Sequence, residues 1–248
     1  MNPDAVSTGT DRSVLRSLRR AGDTSRDGRG RVAGMPPILQ YGFRPFFFLA
    51  ALHAGVAIPI WLSMFFSGQA LPGPFPGLQW HAHEMLFGYL QAVVAGFVLT
   101  AIPNWTGRLP VSGLPLLGLV GAWLAGRLAM VAPDLLGPVA TGIIDGAFLP
   151  VLAFVVGREV VAGKNWKNLR VLVAIGALAI VNLAFHFGAA SGIDGQAVLR
   201  AGVGVYIVLI AIMGGRIVPS FTRNYLVRAG QTQVPQPYGW VDTAALVS

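Results

Sequence analysis

The chain has 248 residues, of which 54% are hydrophobic and only 11% are charged. A soluble domain carries roughly 25% charged residues, so the deficit predicts a multi-pass membrane protein. The formal net charge is +8, but the basic residues lie mainly in the N-terminal tail and beside apolar segments. That distribution is typical of topology signals rather than of nucleic-acid binding. The chain has no cysteine, which excludes disulfides, thiolate metal sites and a C-x-x-C-H haem attachment.

Residues 1–37 form the first predicted unit, a disordered and cytoplasmic Arg-rich tail. Seven arginines fall within the first 31 positions, and aromatic residues are scarce there. The apolar run that begins at Pro45 is too long for the core of a signal peptide. The start codon is left open between Met1 and Met35, since Met35 opens a plausible shorter protein.

Residues 38–230 form the second predicted unit, an all-α bundle of about six transmembrane helices. A crossing needs about 20 apolar residues, and the segments that satisfy this are 45–66, 84–103, 111–132, 135–156, 170–190 and 197–219. The two-residue link at 133–134 predicts that the third and fourth helices are an antiparallel pair. Residues 231–248 are predicted to be a C-terminal linker followed by the stump of a possible seventh helix.

Basic residues in the connections predict the orientation of the bundle. Arg108, the cluster within 158–170, Arg223 and Arg228 lie on the same side as the tail, whereas the loop 67–80 has no charge. The side rich in Lys and Arg is normally cytoplasmic, so both ends of the bundle are predicted to be cytoplasmic.

Small residues recur at a spacing of four in the third and fourth segments. This spacing lets helix backbones approach closely, and it predicts packing faces at Gly118, Ala122 and Gly126 and at Gly142 and Gly146.

All four histidines lie in or at the edge of apolar segments. A polar ring inside a bilayer is costly without a partner, so these residues are functional candidates. A rise of about 1.5 Å per residue predicts one polar cluster in the outer leaflet, formed by His81, His83, Glu84, His186, Arg127 and Arg200. Asp145 is expected nearer mid-depth. His53 is expected in the inner half, outside the cluster unless its helix tilts or breaks.

The spacing of His81 and His83 leaves two arrangements open. In an extended segment the two rings share one side and could both bind a copper or iron ion. In a helix they point apart, and His81 is instead a neighbour of Glu84. Glu84 suits a role as the carboxylate that orients a ligating imidazole, and Arg127 or Arg200 could pair with Glu84 or Asp145 or with haem propionates. The H-E-x-x-H spacing of a zinc protease is absent. A purely structural, hydrogen-bonded role is the alternative for His53 and His186.

Four sequence blocks resemble the signature blocks of the NnrS family: YGFRPFF at 41–47, WHAHEMLFG at 80–88, PNWTGR at 103–108 and GRIVPSFTRN at 215–224. The resemblance implies a multi-helix protein of the bacterial inner membrane that holds haem and copper and acts in the nitric oxide response of denitrification and nitrosative stress. It implies ligand roles for His81 and His83 and, secondarily, for His53. Further motif positions, whose roles are unassigned, are Arg44, Asn104, Trp105, Arg108, Arg216, Arg223 and Asn224.

Members of this family generally have about twice as many crossings, so the chain resembles the N-terminal half only. The resemblance therefore implies the lipid bilayer and either a second half-protein or a second copy as partners. If the cofactor ligands come from both halves, this chain alone binds no cofactor. Two other readings stay open: half of a transporter or channel, and an inert truncated fragment. No nucleophile–base pair or dinucleotide fingerprint is present, so no catalytic activity or catalytic residue is assigned.

Overall fold

The computed structural model describes residues 34–69, 73–231 and 233–235, and this part of the chain contains helices and no strand. Six helices within it are long and apolar enough to cross a membrane. They are α1 (Phe43–Ser67), α2 (Gly77–Thr106), α3 (Leu114–Val131), α4 (Pro138–Ala162), α5 (Trp166–Ser191) and α6 (Gly195–Arg228). The predictions of an all-α bundle and of six crossings are confirmed. Most of the predicted tail 1–37 and of the segment 231–248 lies outside the described residues.

Four of the six helices extend beyond the apolar windows that predicted them, whereas α3 lies within its window and α4 begins three residues later than predicted. Helix α2 begins at Gly77 rather than at 84, because the polar residues before Glu84 continue the same helix. Helices α1 and α2 end at Gly68 and Gly107, which adopt φ values of 67° and 68°. Glycine enters this left-handed region without steric cost and is common at helix C-termini. Helix α6 starts at Asp194, whose carboxylate accepts hydrogen bonds from the first free backbone N–H groups.

The outside of the bundle is apolar and its centre is polar. Large side chains on the outer surface are strongly exposed, including Phe66 at 81%, Leu128 at 72% and Phe154 at 71%. By contrast, Glu84 and Asp145 are 1% and 0% exposed. Lipid tails accept the apolar surface, whereas a charged group at this depth must find a partner inside the protein. This distribution fits a lipid bilayer around the helices.

Small residues bring α3, α4 and α5 close together. A Cβ atom at Gly126 would lie 3.1 Å from Oδ1 of Asp145, and one at Gly146 would lie 2.6 Å from Leu183. A Cβ at Gly142 would lie 2.9 Å from the Cβ of His186. Gly118 has open space around it, with nothing within 4 Å. The prediction of close packing is confirmed for three of these glycines and is wrong for Gly118. Helices α3 and α4 pack directly together, as their short link predicted.

Two helices depart from regular geometry next to the polar centre. Helix α2 contains a π-helical segment at Glu84–Leu90, and α4 is interrupted between Pro138–Gly146 and Phe148–Ala162. Pro150 has no N–H group to donate to the carbonyl of Gly146, which accounts for the interruption. Side chains from other helices bond to π-helical carbonyls: Tyr206 donates to Leu86 at 2.7 Å, and Trp123 donates to Gly88 at 3.0 Å. Such segments are frequent at functional sites.

Candidate metal centre

Arg127 on α3 forms the middle of a buried ion network. One guanidinium nitrogen donates to Oε2 of Glu84 on α2 at 2.7 Å, and the other donates to Oδ1 of Asp145 on α4. The arginine is 6% exposed, and the two carboxylates are almost fully buried. Removing a charge from water costs several kcal/mol unless it is paired and hydrogen-bonded. The fork of Arg127 holds two carboxylates from two different helices and so meets that requirement.

Two histidines converge on Asp145. The Nε2 atom of His186 on α5 lies 2.8 Å from Oδ2, and the Nε2 atom of His83 on α2 lies 3.2 Å from the same oxygen. Asn182, one helical turn before His186, donates its Nδ2–H to this oxygen at 3.0 Å. Its Oδ1 atom lies 2.9 Å from Nε2 of His83, where it can accept a hydrogen bond. The ring of His83 stacks on Phe185 with centroids 4.6 Å apart. Helices α2, α4 and α5 therefore meet at one carboxylate oxygen.

His83, Asp145 and His186 form a group that could hold a metal ion. One potential ligand atom from each residue lies within 4.8 Å of the other two. Side chains that share a tetrahedral ion with bonds of about 2.0–2.2 Å have donor atoms about 3.3–3.6 Å apart, so small adjustments would suffice. The other nitrogen of His83, Nδ1, is buried without a hydrogen-bond partner and lies 3.5 Å from Oε1 of Glu84. A ligating imidazole normally donates this second N–H to a carboxylate.

His53 on α1 also reaches the network. The sequence had predicted it in the inner half of the membrane, outside the cluster. Its Nε2 atom is 3.0 Å from Oε2 of Glu84, and its ring packs edge-on against Trp123. The depth estimate treated the helices as straight rods. The π-helical turn of α2 and the missing side chain at Gly88 bring His53 and Glu84 together, since a Cβ at Gly88 would lie 2.4 Å from the imidazole nitrogen.

His81 lies outside the network. Its segment, Gly77–His83, is helical, so the arrangement in which His81 and His83 face the same ion is wrong. The His81 ring stacks on Trp61 of α1, with centroids 4.1 Å apart and planes 18° apart. Its Nδ1 atom is buried without a hydrogen-bond partner among the described residues.

Arg200 does not join the cluster either. It is exposed on α6, and no ion pair between it and Glu84 or Asp145 occurs in the part of the chain that the structure describes. The rise per residue predicted the depth of Arg200 but not the direction in which its side chain faces. Arg127 alone supplies the positive charge that binds both carboxylates there.

The remaining motif residues lie toward the opposite ends of the helices. Arg108 bonds to Glu159 at 2.5 Å, and Arg216 donates to Asn168 at 2.7 Å while lying over the Trp105 ring. Arg44 donates to the carbonyl of Pro37 at 2.6 Å. Asn104 lines a cavity with Trp105 and Arg216, and Arg223 and Asn224 are exposed. These residues do not contribute to the histidine group.

Sequence reasoning missed three residues of the site: Asn182, Gly88 and Trp123. Asn182 carried a usable signal, because it is an amide in an apolar helix four positions before His186 and so shares its face. Gly88 could not be told from the other glycines of the chain, since its importance depends on what packs against it. Trp123 bonds to the Gly88 carbonyl within the π-helical segment of α2, a contact between two helices that the sequence does not indicate.

A family model described as NnrS protein matches residues 37–248. The chain belongs to the NnrS family. Comparison with curated proteins and with solved structures gave no significant match. Family membership and the six apolar helices together identify a multi-pass membrane protein.

The donor set of the NnrS-family chain suits one small cation better than a haem. With neutral imidazoles, Arg127, Glu84 and Asp145 carry one net negative charge, which a bound cation or a proton would balance. A porphyrin does not fit, because His83 is 0% exposed and packs directly against Phe185 and Asn182. Three cavities of about 290–760 Å³ formed by described residues have no histidine in their lining.

Proposed function

We propose that this chain is an inner-membrane protein in which His83, Asp145 and His186 hold a transition-metal ion, and that it acts in the nitric oxide response. The observation that carries the metal proposal is the convergence of these three side chains, from three helices, with donor atoms within 4.8 Å. Ionisable groups buried inside a bundle of membrane helices are costly and rare, and they commonly mark functional sites. The link to nitric oxide, denitrification and nitrosative stress rests on the family resemblance.

Copper is the ion that these donors and charges favour. Imidazole suits copper, zinc, iron and nickel, so the donors alone do not select one ion. With neutral imidazoles the described network has one net negative charge, which a monovalent cuprous ion would neutralise without a further anion. Glu84 would accept a hydrogen bond from the second N–H of His83, and Asn182 would orient Asp145. His53 would stabilise the negative charge of Glu84. A bound copper ion would supply a site to which nitric oxide can coordinate.

Haem, which the resemblance also implies, would need a site outside this buried group. Of the four histidines in the chain, only His81 lies outside the network, at the edge of the bundle. A haem there would require contacts from a second half-protein or from a second copy. We therefore derive no role for haem from the residues of the buried group.

A second candidate function is movement of protons or ions through the bundle. The observation that favours it is the continuous line of titratable groups from His53 through Glu84 and Arg127 to Asp145 and His186. Charged residues that face a bundle interior often mark proton or ion paths. If the chain is a half-transporter that needs a second polypeptide, or a fragment that is inert without it, the purified chain would neither bind metal nor carry ion flux by itself.

Metal content and spectroscopy of the chain purified from membranes test the proposal. We expect close to one equivalent of copper in the native chain and a large loss in His83→Gln and His186→Gln. His81→Gln serves as the matched control, because His81 stacks on Trp61 away from the network, and it should retain the metal. Nitric oxide should then change the spectrum of the native chain and of His81→Gln only.

Two outcomes would overturn the proposal. Folded native protein that takes up no metal after reconstitution with cuprous or zinc ions would remove the metal site. Proton flux in proteoliposomes that is lost in Glu84→Gln, in protein without metal, would favour the second candidate instead.

Growth under nitric oxide separates the biological role from metal binding, since a variant could bind metal normally and still fail to protect cells.

A further inference from the structure

Three adjoining cavities surround α6 at the end of the bundle opposite the histidines. The first, of about 630 Å³, lies between α1, α2 and α6, and its lining includes five aromatic residues and Arg216. The second, of about 290 Å³, is lined by Lys167, Arg170, Ile212 and Arg216. The third, of about 760 Å³, runs between α5 and α6 and includes Arg170, Gly204 and Ile212. Shared lining residues join the three in series, with the small one in the middle.

The middle cavity is a basic pocket, and the other two are apolar grooves. Arg216 is held in place by its hydrogen bond to Asn168 and by its position 5.5 Å from the centre of the Trp105 ring. No carboxylate contacts Arg216 among the described residues. The carboxylate of Glu159 is bound by Arg108 and Arg158. Arg216 therefore has a positive charge that no described carboxylate balances and that an external anion can bind.

The grooves open on the apolar outer surface of the bundle. Residues along them have large exposed fractions, such as Val173 at 64% and Phe221 at 71%. Gly204 opens the α5–α6 groove, since a Cβ there would meet nothing within 4 Å. The arrangement thus combines an anion-binding pocket with apolar channels that leave it on both sides of α6.

We propose that this site binds an anionic phospholipid, with the phosphate in the pocket of Lys167, Arg170 and Arg216 and the acyl chains in the two grooves. Basic pockets between transmembrane helices bind the headgroups of anionic lipids. A soluble anion would use the pocket but leave the grooves without a role, and a second polypeptide would have to place an acidic group against these cations. The site is separate from the metal group, so the inference does not depend on the proposed function.

Native mass spectrometry of the full chain in mixed micelles of phosphatidylglycerol and phosphatidylcholine tests this. We expect retained phosphatidylglycerol, with a ratio over phosphatidylcholine that falls about fivefold for each charge removed in Lys167→Gln and Arg170→Gln. Lys164→Gln is the matched control, because Lys164 is exposed in the same connection and lines none of the three cavities. Both test residues are exposed, so these variants should fold normally.

A second pair of variants tests the groove without changing charge. Gly204→Leu should displace the acyl chain and lower lipid retention, whereas Gly118→Leu, at an exposed glycine with equally open space on α3, should not. Equal retention of the two lipids, or equal effects of Lys167→Gln and Lys164→Gln, would overturn the proposal. Complete displacement of the lipid by inorganic phosphate would also overturn the proposal. If the variants lose self-association but keep the lipid, the surface would be assigned to a second copy of the chain.

Discussion

The Nε2 atom of His53 on α1 lies 3.0 Å from Oε2 of Glu84 on α2, and Gly88 is what makes this approach possible. A Cβ atom at position 88 would lie 2.4 Å from that nitrogen and 2.8 Å from the Arg127 guanidinium. The contact connects α1 to an ion network that otherwise involves α2 to α5. Arg127 approaches the same oxygen from α3 at 2.7 Å.

Gly88→Ala should therefore disturb the network through volume alone. The added methyl group must displace His53 or Arg127, and such overpacking costs about 1–3 kcal/mol. Unfolding in detergent, followed by circular dichroism, measures the loss. Gly118→Ala is the control and should cost nothing, since its Cβ meets open space. Equal stability of the two variants would contradict the close packing at Gly88.

Arg127→Met should be one of the most destabilising single changes in the bundle. It leaves Glu84 and Asp145 buried without their shared cation, and breaking a buried pair in this way costs about 3–5 kcal/mol. Arg127→Lys should recover part of the loss, because it keeps the positive charge. The recovery should be incomplete, because an ammonium cannot bond both carboxylates with the geometry of the guanidinium fork. The measurement is again unfolding in detergent.

Arg200→Met is the matched control for Arg127→Met. Arg200 is exposed, so its removal should change stability by no more than about 0.5 kcal/mol. If Arg200→Met is as damaging as Arg127→Met, the assignment of Arg127 as the central cation is wrong.

Asn182→Leu should weaken metal binding while leaving the fold intact. Asn182 orients both His83 and Asp145, and loss of such an outer partner typically lowers metal affinity by about 10–100-fold. Metal titration of the purified chain measures the change. Asn168→Leu is a suitable control, since Asn168 is equally buried but bonds to Arg216 at the other end of α5. Unchanged affinity in Asn182→Leu would argue against the His83–Asp145–His186 site.

Cysteine labelling tests the proposed orientation, in which the basic ends of the helices face the cytoplasm. The natural chain contains no cysteine, so an introduced thiol reports on one position. A membrane-impermeant maleimide should label Gln69→Cys in intact spheroplasts. It should label Lys164→Cys only after permeabilisation. The reverse pattern would invert the topology.

Much of the architecture could be predicted from the order of the residues. Apolar runs of sufficient length specify transmembrane helices because lipid cannot satisfy backbone polar groups, and this argument needs no knowledge of neighbours. It predicted all six helices. Their ends were predicted less well, since polar residues such as His81 and His83 interrupt an apolar window without interrupting the helix. The same reasoning identified the histidines, Glu84, Asp145 and Arg127 as candidates.

The composition of the site depended on contacts between helices. Rise per residue gives the depth of a side chain, but not the direction in which it faces or how its helix tilts. For this reason His53 and Asn182 belong to the network, whereas His81 and Arg200 do not. Hydropathy alone determined that this chain forms a bundle of membrane helices with buried polar groups. Packing at Gly88 and the π-helical turn of α2 decided which of those groups meet, because both depend on contacts between helices that no local pattern encodes.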